Sequence, residues 1–265
     1  MKRYLTLLYV LLLVILSACN GKSSQKEENK RLIMVTMEPQ RYFTEAIAGD
    51  KFLVESMVPK GSSPETYDPT PQQLTRLSKS EAYLRIGHIG FEQSWMDRLT
   101  DNAPHMQIFD TSKGVELIHG EGHNHGDHFH AGGVDPHIWN SISNARIIAK
   151  NTFQALITLD KTNENYYLHR YDSLCKVINR TDSVINNIFQ TRKADHAFMI
   201  YHPALSYFAR DYGLHQICIE EEGKEPSPAH LRDLIEICKE EEVQIIFVQP
   251  EFDRRNAEII AKQTN

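Results

Sequence analysis

The chain has no apolar run long enough to span a bilayer. Its longest, Leu7–Leu16, stops at ten residues, about half the roughly 20 a membrane helix needs. It has no basic surplus either. Lys and Arg number 29 against 35 Asp and Glu, for a net charge of −6, whereas a nucleic-acid partner calls for a basic face. Cysteine is scarce, with four in all. Once Cys19 is set aside, Cys175, Cys218 and Cys238 remain, and an odd number supports no complete disulfide framework. Cys175 and Cys238 fall on apolar helical stripes and read as small buried hydrophobes. A Cys218–Cys238 bridge in an oxidising compartment stays open. The catalytic signatures H-E-x-x-H, G-x-S-x-G and the P-loop are all missing, so the chemistries they carry have no foothold here. Histidine, by contrast, is in excess, at 13 of 265 residues.

The first residues read as an address. Met1-Lys2-Arg3 is positive, the apolar run follows, and small residues end it. That order is the pattern of a secretory signal, not of a membrane helix. Leu16-Ser17-Ala18-Cys19 resembles the lipobox of bacterial lipoproteins. The resemblance implies cleavage before Cys19 and acylation of its sulfur, so residues 1–19 form a lipoprotein signal and Cys19 a lipid anchor in a bilayer. Residues 20–30 are polar with no apolar face and read as a flexible tether.

Beyond the tether, short apolar runs alternate with helical patterns. Strands are predicted at 32–36, 52–58, 82–86, 106–109, 197–201, 214–219 and 243–248. Between them lie helices over 39–47, 69–77, 91–99, 203–212 and 228–239, and a last one over 254–263 follows. Alternation of this kind predicts parallel βαβ units. A long helical region, 141–191, separates two such blocks. The expected fold is α/β, with an N-terminal lobe over 31–140 and a C-terminal lobe over 192–265. Each lobe has a mostly parallel sheet flanked by helices, and the long helix joins them. The pattern calls for one more strand after the last helix, so the C-terminal lobe is expected to be truncated at its end.

Three loops carry candidate metal ligands. Glu65 follows the second strand, His202 ends the fifth, and His137 precedes the long helix. Parallel sheets bind ligands at the carboxyl ends of their strands, and imidazole with carboxylate suits zinc, manganese or iron. A lone histidine beside a helix start is more often structural than ligating. Three candidates in comparable loop positions reverse those odds, the more so beside residues 119–130. That stretch holds His119, His123, His125, His128 and His130 among glycines and acids, a composition that binds metal with imidazoles that are neutral near pH 7. It is read as a loop and as an auxiliary metal site.

Gly61-Ser-Ser-Pro-Glu-Thr-Tyr-Asp-Pro-Thr-Pro71, Asp135-Pro-His-Ile-Trp139, Tyr201-His-Pro-Ala-Leu-Ser-Tyr-Phe-Ala209 and Phe247-Val-Gln-Pro-Glu-Phe252 resemble the zinc- and manganese-binding solute-binding proteins of ABC transporters. The resemblance covers about residues 30–265. It implies two α/β lobes on a rigid linking helix and metal in the cleft between them. It also implies an extracytoplasmic lipoprotein, periplasmic or at the cell surface and monomeric, that captures a divalent ion for an ABC-type permease. Glu65, His137 and His202 are the ligands so implied. Glu65 stands where the family's first ligand is usually histidine, which makes the site harder. His202 stands where manganese members often have glutamate, which favours Zn²⁺ over Mn²⁺ or Fe²⁺. A fourth ligand is not assigned. Two rival readings are a metallohydrolase built on two histidines and a carboxylate, with Glu222 or Glu251 as nominal base, and a surface adhesin that only stores metal.

Overall fold

Four of the five residues of β1 (Arg31–Val35) are buried, as expected of a central strand covered on both faces. Parallel pairing sets β2 (Phe52–Ser56) on one side of it and β3 (Ala82–Arg85) on the other. β4 (Gln107–Asp110) joins β3, giving the order β2–β1–β3–β4. The second sheet is also parallel, in the order β8–β7–β9, from β7 (Ala197–Ile200), β8 (His215–Cys218) and β9 (Ile246–Phe247). Between the sheets in sequence lies a short antiparallel ribbon, β5 (His123–His125) with β6 (His128–His130). The computed structural model describes residues 30–119, 123–125, 128–130, 133–191, 196–221 and 223–264. The signal, the lipobox with Cys19, and most of the tether lie outside the described residues.

The helices begin where local chemistry lets them. α1 (Glu38–Ala48) opens on Pro39, and α2 (Pro71–Leu77) on Pro71 behind a Thr70 cap that accepts from the Gln73 amide. The cap explains why α2 starts two residues later than its pattern alone predicts. α3 (Gly90–Asn102) follows β3. In the second lobe, α6 (Ser206–Tyr212) closes on Gly213 in the left-handed conformation. α7 (Pro228–Glu240) has the predicted Ser227 cap on the His230 amide, and α8 (Arg255–Thr264) comes last. Residues 203–205, expected to be helical, form a turn before α6, in which the Ala204 amide donates to the His202 carbonyl at 2.7 Å.

α4 (Ile142–Leu159) and α5 (Glu164–Thr191) are the linking helices. At 28 residues, α5 is about 42 Å long. It packs on α1 and α4 of the first lobe, with Phe153 stacked on Tyr171 at 5.0 Å. At its far end Phe189 meets Phe208 and Tyr212 of α6. Ile188 is 45% exposed, because only part of that last turn faces α6. Cys175, Cys218 and Cys238 are all free thiols, so no bridge joins Cys218 to Cys238. Only Cys238 is fully buried; Cys175 is half-buried at the edge of α5.

Side chains at the carboxyl ends of β1, β3 and β4 are tied together. Gln40 of α1 accepts from the Thr36 and Met37 amides and donates to the Leu84 carbonyl and Thr111 hydroxyl. Glu92 of α3, 2% exposed, accepts from the Thr36 hydroxyl and from the amides of Ile86 and Gly87 at 2.7 and 2.8 Å. Buried polar groups satisfied to this degree fix one loop geometry.

Candidate metal centre

His137 sits on the turn into a short 3₁₀ segment, Ile138–Asn140, and is 8% exposed. Its position is set by Asp135 two residues earlier. One carboxylate oxygen accepts from the His137 amide at 2.9 Å and stands 2.8 Å from Nδ1. His202 ends the turn after β7 and has the same kind of partner, with Nδ1 2.8 Å from Glu220 Oε1. Gln249, in the turn after β9, holds the His202 backbone on both sides. Its Oε1 accepts from the His202 amide at 3.3 Å, and its Nε2 donates to the His202 carbonyl at 2.8 Å. Phe252 stacks on the His202 ring at 5.5 Å.

With each Nδ1 beside a carboxylate, Nε2 is the nitrogen of each ring left for whatever lies beyond it. Those nitrogens face each other, His202 Nε2 to His137 Nε2, at 3.2 Å. At that distance the two nitrogens can both reach one ion placed between them. A tetrahedral ion about 2.05 Å from each nitrogen would space them about 3.3 Å apart. The separation fits a shared metal, and carboxylate–histidine pairs are the usual support for one.

Glu65 lines the same cleft, of about 510 Å³, together with His137 and His202. It hangs on the loop after β2 and is exposed. Its Oε2 accepts from the Gly90 amide at 3.0 Å, and the Phe91 amide donates to the Pro64 carbonyl at 2.9 Å. The loop is thus stitched to the first turn of α3. A Cβ on residue 90 would come within 2.6 Å of the Glu65 carbonyl oxygen, so the close approach requires glycine. The two histidines meet directly, while Glu65 remains engaged at Gly90. Among the described residues, no three His, Cys, Asp or Glu side chains already stand in coordinating geometry.

The electrostatics suit cation capture. Burial pulls the His202 imidazole down, but its bond to Glu220 and the charges of Glu220, Glu65 and Asp135 outweigh it, so its pKa lies above the usual value. Burial likewise pushes the Asp135 carboxyl up, yet bonds from His137 and Ser206 hold it below the usual carboxylate range. Cys218, two residues before Glu220, is no thiolate ligand. Burial and then the Glu220 charge push its thiol to about 12.

Of the residues singled out from sequence, Glu65, His137 and His202 line one cleft. The auxiliary stretch divides. His119 pairs with Val134 in an isolated antiparallel bridge. His123, His125, His128 and His130 lie on the two strands of the ribbon, in the pairs His123–His130 and His125–His128. The expected loop is therefore partly a hairpin. Asp135, Glu220, Gln249 and Phe252 were not assigned roles from sequence. Asp135 was findable from its place two before a histidine and just ahead of a helix. Glu220 had no local signal, since only pairing of β8 with β7 brings it to His202.

Comparison with known proteins identifies the family and the fold. Residues 33–265 match the family described as zinc-uptake complex component A, periplasmic. The chain is 30% identical to the metal ABC transporter substrate-binding lipoprotein FimA of Streptococcus parasanguinis, over 97% of this chain and 84% of that protein. It is 30% identical, with the same coverage, to the manganese ABC transporter substrate-binding lipoprotein PsaA of Streptococcus pneumoniae. A crystal structure of ZnuA superposes with a TM-score of 0.80 at 35% identity, covering 89% of this chain and 88% of that one. A zinc-bound deletion mutant of ZnuA superposes at 0.79, also at 35% identity.

Proposed function

We propose, on the premise that this chain belongs to the family of periplasmic component A of the zinc-uptake complex, that its cargo is zinc, held by Glu65, His137 and His202. Membership makes it a metal-binding substrate-binding protein of ABC transporters and not an enzyme, so the hydrolase reading is set aside. The observation that carries the zinc reading is the 3.2 Å approach of two Nε2 atoms whose opposite nitrogens are both tied to carboxylates. Two imidazole ligands suit a borderline ion better than a hard one. Glu65 supplies the charge, turning from the Gly90 amide to the ion as it enters.

Delivery follows from the address. Cys19 would anchor the chain to a lipid bilayer outside the cytoplasm, and residues 20–30 would let the domain reach a permease of the ABC type. No helix among the described residues is long and apolar enough to cross a membrane, and the anchor supplies what such a helix would. The histidine-rich stretch around the β5–β6 ribbon would gather metal loosely and raise its concentration at the cleft. The chain is taken to work as a monomer.

Manganese is the second reading. Two observations favour it: the carboxylate at 65, which hardens the site, and the relatives named for manganese at 30% identity. A competition titration decides. The purified protein is titrated with zinc and manganese together, beside a His137→Ala/His202→Ala double variant. Zinc is expected to win in the parent and to lose tight binding in the variant. Tight stoichiometric zinc binding that survives the double substitution sinks the site, and preference for manganese in the parent selects the second reading.

A further inference from the structure

One more imidazole lines the cleft. His88 lies on the connection from β3 to α3, exposed and among the residues that line the cleft with Glu65, His137 and His202. Its backbone is left-handed, with φ of 60°, directly after Gly87 at 78°. L side chains rarely adopt that conformation, and glycine is its default occupant. Gly87 has its own reason: a Cβ there would stand 2.8 Å from the Ser112 hydroxyl. At residue 88 the chain keeps a side chain where glycine would be easier, and the side chain it keeps is a metal ligand. Backbone strain held at a cleft is a pointer to function.

The strain is held from both sides. Glu92 accepts from the amides of Ile86 and Gly87, Gln93 Nε2 donates to the His88 carbonyl at 3.0 Å, and the Gly90 amide is committed to Glu65. One short connection therefore fixes His88 and the Glu65 carboxylate together.

Coordination leaves room for it. Two histidines and Glu65 fill three positions, while a closed zinc shell takes four. Asp135 also lines the cleft, but it is occupied at His137. Resting on the reading of Glu65, His137 and His202 as ligands, we propose that His88 is the fourth ligand. It restores the third imidazole that Glu65 removes and so sets the preference for zinc over a harder ion.

The test uses the full-length chain in detergent. Zinc affinity is measured by chelator competition, imidazoles bound to zinc are counted by X-ray absorption, and cobalt(II) serves as a visible probe of coordination. The parent, His88→Ala and His88→Asn are compared, because asparagine tolerates the left-handed backbone. The expected result is three imidazoles in the parent and two in both variants. Zinc affinity should fall at least about tenfold, since even outer-shell partners of metal ligands cost that much. The cobalt d–d bands should weaken, and zinc should lose ground to manganese. Two imidazoles in the parent, or an asparagine variant that keeps parental affinity, would overturn the role of His88 and leave the other three ligands standing. Zinc binding untouched in His137→Ala/His202→Ala removes the site itself, and the proposal with it.

Discussion

At the two facing Nε2 atoms, what matters is what holds the rings. Asp135 and Glu220 each stand 2.8 Å from an Nδ1, so Asp135→Asn and Glu220→Gln should each weaken zinc binding by about 10- to 100-fold, read by chelator competition. A loss below twofold would mean that the ring orientation is set elsewhere. Gly90→Ala tests the other ligand. The added methyl meets the Glu65 carbonyl and carboxylate at 2.6 and 2.7 Å, so the Glu65 loop must lift, and both stability and metal affinity should drop together in melting and titration experiments. Glu92 gives a pH signature of its own. Burial raises its pKa above the ordinary 4.5 more than its bonds to Thr36, Ile86 and Gly87 and the nearby Arg85 lower it. The folded state therefore holds the proton longer than the unfolded chain does. The contribution of Glu92 is fully present below about pH 4.5 and is lost as pH rises through the raised value. Parent stability measured against Glu92→Gln by urea denaturation should decline over that window, and a gap independent of pH would contradict it.

The helices show how local chemistry places these side chains. Pro228 behind Ser227 starts α7 where the sequence alone puts it, and the Ser227 hydroxyl accepts from the His230 amide at 3.2 Å. Ser227→Ala should cost about 1 kcal/mol, seen as a lower denaturation midpoint with metal affinity unchanged. α2 and α6 started later than their patterns predict, because apolar spacing marks a helix face while caps and turns mark its first residue. The residues left out at the start of α6 are those that let His202 turn into the cleft. The histidine-rich stretch read as a loop because glycines interrupt it, yet three residues either side of Gly126-Asp127 pair as a ribbon. Strand pairing this short is set by cross-strand hydrogen bonds, which composition does not register.

Across the whole molecule, the two lobes meet the cleft from opposite sides. Glu65 and His88 come from the first sheet's loops and His202 from the second's, with α5 packed against helices of both lobes. An ion held across that gap favours the folded, assembled cleft over the unfolded chain. Zinc at 100 times its dissociation constant should stabilise the protein by about 2.7 kcal/mol, visible as a higher melting temperature. The increment should vanish in the His137→Ala/His202→Ala variant.

The sequence by itself determined the alternation of strands and helices, the long linking helix, and the three loops that carry Glu65, His137 and His202. Each follows from periodicity, caps or short motifs contained within a few neighbouring residues. Only the tertiary structure decided that His137 and His202 face each other at 3.2 Å, that Glu220 and Gln249 support His202, and that Glu65 leans on Gly90. Those contacts join residues 18 to 65 positions apart. Parallel pairing and lobe packing bring such residues together, and no local pattern encodes the distance between them.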